Sequence, residues 1–177
     1  MKGEWEMRRR FAVAAAALAL SVALTVPAYA GTWKYVNDQW KYQRGTNKFA
    51  YNEWIKDNGK YYYIGNDGIM KTGWQQVGGK WYHLSGSGAM QTGWLKDGKT
   101  WYYLNQSGAM ATGWQKVGGS WYYLAKSGAM KTGWQKVGGS WYYLKGSGAM
   151  AANTWIGDYY VDGSGVMATN CWIGKYY

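Results

Sequence analysis

The chain has 177 residues, a formal net charge of +11, 14 tryptophans and 18 tyrosines against two phenylalanines, and 27 glycines. Glycine at this density disfavours helix, and a single histidine leaves no candidate metal cluster. Leucine, isoleucine and valine are too sparse for an ordinary compact core, so burial is expected to come mainly from aromatic rings, each able to bury roughly 150–250 Å².

At the N-terminus, Arg8, Arg9 and Arg10 precede an apolar run from Phe11 to Val26, and Pro27 leads into Ala28-Tyr29-Ala30. A basic start, a short apolar stretch and an A-x-A site predict a cleaved secretory signal peptide over 1–30. The run is short of the roughly 20 residues that span a bilayer, so no membrane association is expected after cleavage. Met7 opens a more usual signal, MRRRF. Lys2 and the three arginines, against Glu4 and Glu6, leave with this segment, so the remainder carries +9. Such a surface is drawn to anionic polymers, which for an exported protein are those of the cell envelope. No nucleic-acid motif is present, and nucleic acid is not expected as a partner.

From residue 31 onward the chain repeats itself. Trp74, Trp94, Trp114 and Trp134 are 20 residues apart, as are Trp81, Trp101, Trp121 and Trp141, and as are Met70, Met90, Met110, Met130 and Met150. Residues 31–52 form a degenerate unit: TWKYVNDQWKY keeps two tryptophans seven apart but loses the turn-and-Met ending. Tandem units occupy 53–152, the first with Tyr61 in place of a tryptophan, and contracted units occupy 153–177. Atypical ends are what a stacked repeat array needs as caps.

Each unit reads as a β-hairpin. In Gly113–Leu124, two aromatic and β-branched runs flank Gly118-Gly119, which suits a two-residue I′ or II′ turn. Asn58-Gly59 holds the same place in the first tandem unit, and Asp97-Gly98-Lys99 allows for a bulge. The predicted fold is all-β: a solenoid of stacked β-hairpins with a repeat of about 20 residues. With Gly118-Gly119 as the turn, Val117 opposes Ser120, Lys116 opposes Trp121 and Trp114 opposes Tyr123. Side chains alternate faces along a strand, so Trp114, Trp121 and Tyr123 share one face, and Gln115, Val117, Tyr122 and Leu124 share the other.

Repeated rings on short hairpins serve as core, or wall a site for a soft cation or a flat apolar ligand. Packing is expected to claim about half of them. The sequence GWQKVGGSWYYLAKSGAM closely resembles the cell-wall-binding, or choline-binding, repeat of Gram-positive surface proteins, and the likeness is clearest over 73–152. Glucan-binding repeats share the same GW, turn and YY features. The resemblance implies a left-handed superhelical stack with choline, carried on teichoic acid, held between consecutive hairpins by two tryptophans, an aromatic ring of the next hairpin and a nearby methionine. Carried onto this chain, the cages are Trp74 and Trp81 with Tyr103 and Met90; Trp94 and Trp101 with Tyr123 and Met110; Trp114 and Trp121 with Tyr143 and Met130; and Trp134 and Trp141 with Tyr160 and Met150. His83 replaces the second tyrosine of WYY and puts any cage completed from that unit in doubt. Tyr61 and the contracted unit at 154–169 weaken the sites at either end.

No enzyme activity is expected. Between Gly98 and Ala152 there is neither Asp nor Glu, so the best repeats offer no carboxylate pair for glycoside hydrolysis. No cofactor or metal is expected. Cys171, the only cysteine, cannot form an internal disulfide, and no cysteine follows the signal to carry a lipid. The chain is expected to be secreted and held at the wall noncovalently through a choline-bearing teichoic acid or a glucan. The competing readings are an α-glucan or other polysaccharide binder, and a structural surface protein whose rings are all core. Dimerisation through the terminal hairpins is left open.

Overall fold

The computed structural model describes residues 31–169; the expected signal peptide at 1–30, Cys171 and Trp172 lie outside them. Fifteen strands run in antiparallel succession: β1 (Thr32–Val36), β2 (Gln39–Gly45), β3 (Lys48–Phe49), β4 (Glu53–Asp57), β5 (Lys60–Ile64), β6 (Gly73–Val77), β7 (Lys80–Leu84), β8 (Gly93–Asp97), β9 (Thr100–Leu104), β10 (Gly113–Val117), β11 (Ser120–Leu124), β12 (Gly133–Val137), β13 (Ser140–Leu144), β14 (Thr154–Ile156) and β15 (Tyr159–Val161). β1, β2 and β3 make a three-stranded sheet, and each later pair from β4–β5 to β14–β15 makes a two-stranded one. The described residues are thus all-β, built as tandem hairpins at the 20-residue period of the sequence.

The turns explain why the register is so regular. Gly118 and Gly119 have φ of +54° and +82°, and Asn58 and Gly59 have +47° and +76°. Positive φ at both central residues is the I′ turn, whose twist matches that of the flanking strands. Val117 pairs with Ser120, Lys116 with Trp121 and Trp114 with Tyr123, as expected. β8 and β9 are also joined by two residues, Gly98 and Lys99.

The described residues fall into two compact units, one of 31–95 and 103–110, the other of 96–102 and 111–169. In the first unit, the segment after each hairpin turns back on its own second strand: Ser85 N donates to Ala89 O over 2.8 Å, and Leu84 bridges to Met90. The same segment reaches the preceding hairpin, where Met90 N donates to Tyr61 O over 2.7 Å. Met70 N donates to Trp40 O and Met110 N to Trp81 O in the same manner. At the front of this unit, Arg44 grips the Glu53 carboxylate with two nitrogens, tying β2 to β4.

The second unit repeats the scheme. Met130 N donates to Trp101 O, Met150 N to Trp121 O and Met167 N to Trp141 O, at 2.7 to 2.8 Å. These bonds use main-chain groups, so the same offset between neighbouring hairpins recurs in this unit, and ring contacts add to it. The thioether of Met130 also packs into the space a Cβ on Gly148 would need, as Met150 does at Gly165.

The core corrects one expectation. The large side chains that are almost wholly sealed are aliphatic: Ile55, Ile64, Leu84, Leu104, Leu124, Leu144 and Val161. These are the residues that end the second strands, apart from Ile55 on β4. From β6–β7 onward one aliphatic side chain per hairpin, and in β4–β5 two, supply the driest burial, about 1.5–3 kcal/mol each. Among the aromatics, Tyr42, Trp54, Tyr63, Tyr82 and Tyr142 are buried, while many other rings are only half covered. The sequence has few aliphatic residues, but the repeat places them where each is fully used.

Candidate functional site

Cross-strand pairing puts Trp114, Lys116, Trp121 and Tyr123 on one face of the β10–β11 hairpin. The two indoles meet edge-on, centroids 6.5 Å apart and planes at 89°. Trp114 also touches Tyr123 of its own hairpin at 5.1 Å and Tyr142 of the next at 4.8 Å. The ammonium of Lys116 lies 5.9 Å from the Trp121 ring centroid. Steep contacts of this kind set the positive edge of one ring against the negative face of another, the arrangement that aromatic pairs prefer.

The next hairpin has the same layout. Trp134 meets Tyr143 at 5.3 Å and Tyr159 of the following hairpin at 5.6 Å, and Lys136 lies 6.0 Å from the Trp141 ring. In the other unit, Trp74 meets Trp81 at 6.5 Å and His83 at 5.0 Å, and Trp94 meets Tyr103 at 5.1 Å. Trp54 lies 4.9 Å from Tyr82 of the next hairpin. His83 shares its Nδ1 with Gln91 Oε1 at 2.5 Å, so it takes the second tyrosine's place against the first-strand indole.

In three of the hairpins the two tryptophans are not equivalent. The second-strand indoles Trp81, Trp101 and Trp141 are 39–41% exposed, whereas Trp74, Trp94, Trp114 and Trp134 are half-buried. Trp121, the second-strand indole of β10–β11, is half-buried like its partner Trp114.

The sequence-predicted residues are brought together in a particular frame. The ring of the next hairpin that meets Trp114 is Tyr142, the first tyrosine of WYY, while Tyr143 meets Trp134. Likewise Tyr159 meets Trp134, while Tyr160 meets Trp155. Tyr103 lies on Trp94 and Tyr123 on Trp114, each within its own hairpin. The methionine backbone attached to Trp121 is that of Met150, and Met130 attaches to Trp101, Met110 to Trp81 and Met90 to Tyr61.

An open pocket lies where the sequence suggested only a cap. A pocket of about 240 Å³ is lined by Trp33, Trp40, Asp57, Tyr62, Met70 and Ser87. Trp33 and Tyr62 form a T-shaped pair at 5.0 Å, and Trp40 is 45% exposed. Two tryptophans of one hairpin, the first ring of the next and the methionine after it make the same constellation as in the frame above. The signal that could have found it is the seven-residue spacing of Trp33 and Trp40, shared with Trp74 and Trp81. Among the described residues, no group of three or more His, Cys, Asp or Glu side chains is placed to hold a metal.

Comparison with known proteins bears on this geometry. Models of the choline-binding repeat match residues 71–113, 111–155 and 149–177, and a model of a putative cell wall binding repeat matches 52–70. Choline binding protein F of Streptococcus pneumoniae, solved in the presence of a tetrasaccharide-pentapeptide peptidoglycan analogue, is 46% identical over 79% of this chain and 47% of its own, with a TM-score of 0.73. CbpJ of Streptococcus pneumoniae is 44% identical over 80% of this chain and 53% of its own, TM-score 0.73. The choline-binding domain of CbpL from the same organism is 33% identical over 82% of this chain and 91% of its own, TM-score 0.60. The chain spans about half the length of the first two. No curated protein sequence matches it.

Proposed function

This chain belongs to the choline-binding repeat family of cell-wall-binding modules, and from that premise we propose that it is a noncatalytic module capturing choline groups of teichoic acid in aromatic cages between successive hairpins. The observation that supports this reading is the division of labour within three of the hairpins. In β6–β7, β8–β9 and β12–β13 the second-strand indole stays about two-fifths open while the first-strand indole is half-buried, packed on Tyr159 of the next hairpin in the case of Trp134. A protein using every ring as core would have no reason to leave Trp81, Trp101 and Trp141 at the surface.

The repetition has an energetic reason. A cation–π contact contributes roughly 0.5–2 kcal/mol, and a cage of three rings, after ordering costs, gives about −4 kcal/mol, near a millimolar Kd. One such site does not retain a protein on a wall. Several linked sites that engage a polymer repeating its own headgroup gain about 10²–10⁴ in apparent affinity. On this reading the 31–52 segment and the contracted units from 153 onward cap the array at 53–152, and the exported chain is retained at the wall noncovalently.

The test is elution from choline-bearing walls by free choline, together with a fluorescence titration. Release by choline and a saturable change in tryptophan emission support the proposal. Retention on dextran that choline does not disturb, with no emission change, replaces it with glucan binding.

A further inference from the structure

We infer that the pocket between β1–β2 and the hairpin β4–β5 is an additional ligand site whose carboxylate, Asp57, selects a primary ammonium over a quaternary one. The repeat models begin at residue 52, so Trp33 and Trp40 lie outside every matched repeat. The inference rests on the cage reading above for the general chemistry of the rings, and adds a charged specificity residue that most of the repeats lack.

The geometry is local and complete within one unit. Trp33, Trp40 and Tyr62 present ring surface, Met70 a polarisable thioether, and Asp57 and Ser87 oxygen atoms, around about 240 Å³. This is below the size of sites for drug-sized ligands and suits a small headgroup. Asp57 Oδ2 accepts from Trp33 Nε1 at 3.1 Å and from Asn58 Nδ2 at 3.4 Å. Both donors are neutral and both reach the same oxygen, so among the described residues Oδ1 is the acceptor that remains for an incoming N–H. Lys60, across the strand pair from Asp57, is exposed, and the carboxylate forms no ion pair among the described residues. At the corresponding hairpin position the other tandem units carry Val77, Val117 and Val137, with Asp97 the one other acid.

The physical consequence is a reversal of preference. In a cage of rings alone, a quaternary ammonium wins, because it is weakly hydrated and fills the space with methyl groups. A primary ammonium is strongly hydrated and enters only where hydrogen-bond acceptors replace the lost water. Asp57 offers a charge-assisted acceptor, and Ser87, whose hydroxyl is hydrogen-bonded to Ser85 Oγ at 2.8 Å, lines the same space. The shared ligand chemistry is R–NH₃⁺, from an amino-alcohol headgroup or from the side chain of a diamino acid in a peptide.

The experiment follows indole N–H resonances of the full chain by NMR, with Trp33 assigned by Trp33→Phe, while ethanolammonium, choline and Nα-acetyl-lysine amide are titrated in. Expected is a Trp33 response to ethanolammonium at about tenfold lower concentration than to choline, and loss or reversal of that order in Asp57→Asn, which keeps an acceptor for Trp33. A lysine amide that matches ethanolammonium assigns the peptide source; one that fails to compete assigns the headgroup source. Choline binding at Trp33 as tightly as ethanolammonium in the unmutated chain overturns the inference without any variant, as does an unchanged order in a folded Asp57→Asn protein. Choline leaving Trp114 and Trp121 unmoved overturns instead the cage reading on which it rests.

Discussion

Trp114 and Tyr142, on consecutive hairpins, meet with ring centroids 4.8 Å apart and planes at 67°. Tyr142 is only 6% exposed, whereas the adjacent Tyr143 is half-buried and rests on Trp134 of its own hairpin. The two tyrosines of one WYY triplet therefore do different work: the first joins hairpins, the second braces one. Tyr142→Ala is expected to destabilise by about 3–5 kcal/mol, as loss of a large buried ring does, and Tyr143→Ala by clearly less. Urea unfolding followed by tryptophan fluorescence checks the order; equal costs would contradict this assignment.

The contrast shows what was legible in the sequence. A two-residue I′ turn leaves no freedom in strand pairing, so the partners of Trp114 and Lys116 followed from Gly118-Gly119 alone. How one hairpin docks on the next did not follow. That offset is set by main-chain bonds such as Met150 N to Trp121 O, which leave no mark on residue choice, so periodicity cannot tell Tyr142 from Tyr143 as the neighbour's ring. The aliphatic core was missed because composition counts residues without placing them; Leu124 and Leu144 are few but wholly sealed. Trp33 and Trp40 looked like a bare cap because their own unit lacks a closing methionine, yet Met70 of the following unit closes their pocket.

A second prediction concerns two glycines of one turn. Gly148 has φ of +84° and faces the Met130 thioether, which occupies the space a Cβ would take. Gly146 has open space around its missing Cβ and no positive φ. Gly148→Ala is expected to lower the unfolding midpoint sharply, through both the left-handed backbone and the displaced methionine. Gly146→Ala is expected to be neutral or to stabilise by up to about 1 kcal/mol through the unfolded chain. Adding Met130→Ala to Gly148→Ala relieves the clash but not the backbone cost, so rescue is expected to be partial; full rescue would show that φ is unimportant there.

Alkaline stability follows from two tyrosines. Burial pushes the Tyr82 hydroxyl above its ordinary value of 10.0, and burial does the same to Tyr63, partly offset by the positive charge of Lys71. The folded state holds these protons more tightly than the unfolded chain does. Their contribution to stability is therefore fully present below about pH 10 and is lost as pH rises through the folded-state values. Stability measured at pH 9 and pH 11 should fall, and Tyr82→Phe should flatten part of the fall. An unchanged slope in that variant would show that Tyr82 ionises like an exposed tyrosine.

The lysines beside the second-strand indoles Trp121 and Trp141 make the last prediction two-sided. Lys116 and Lys136 hold their ammonium groups 5.9 and 6.0 Å from the Trp121 and Trp141 rings. A resident cation over the ring weakens the attraction that a ligand cation would feel there, by about 0.5–1 kcal/mol at an exposed site. Replacing Lys116 or Lys136 by methionine keeps the apolar stem and removes the charge, so the affinity of that site for free choline is expected to rise about two- to fivefold. A teichoic acid chain carries phosphates as well as choline, and for it the same lysines are attractive partners. Binding to the intact polymer at low salt is therefore expected to weaken in the double variant, and the difference to shrink as salt screens the charges. Isothermal titration with choline, and wall retention measured against ionic strength, separate the two effects. If both affinities moved in the same direction, the lysines would not be acting through charge at all.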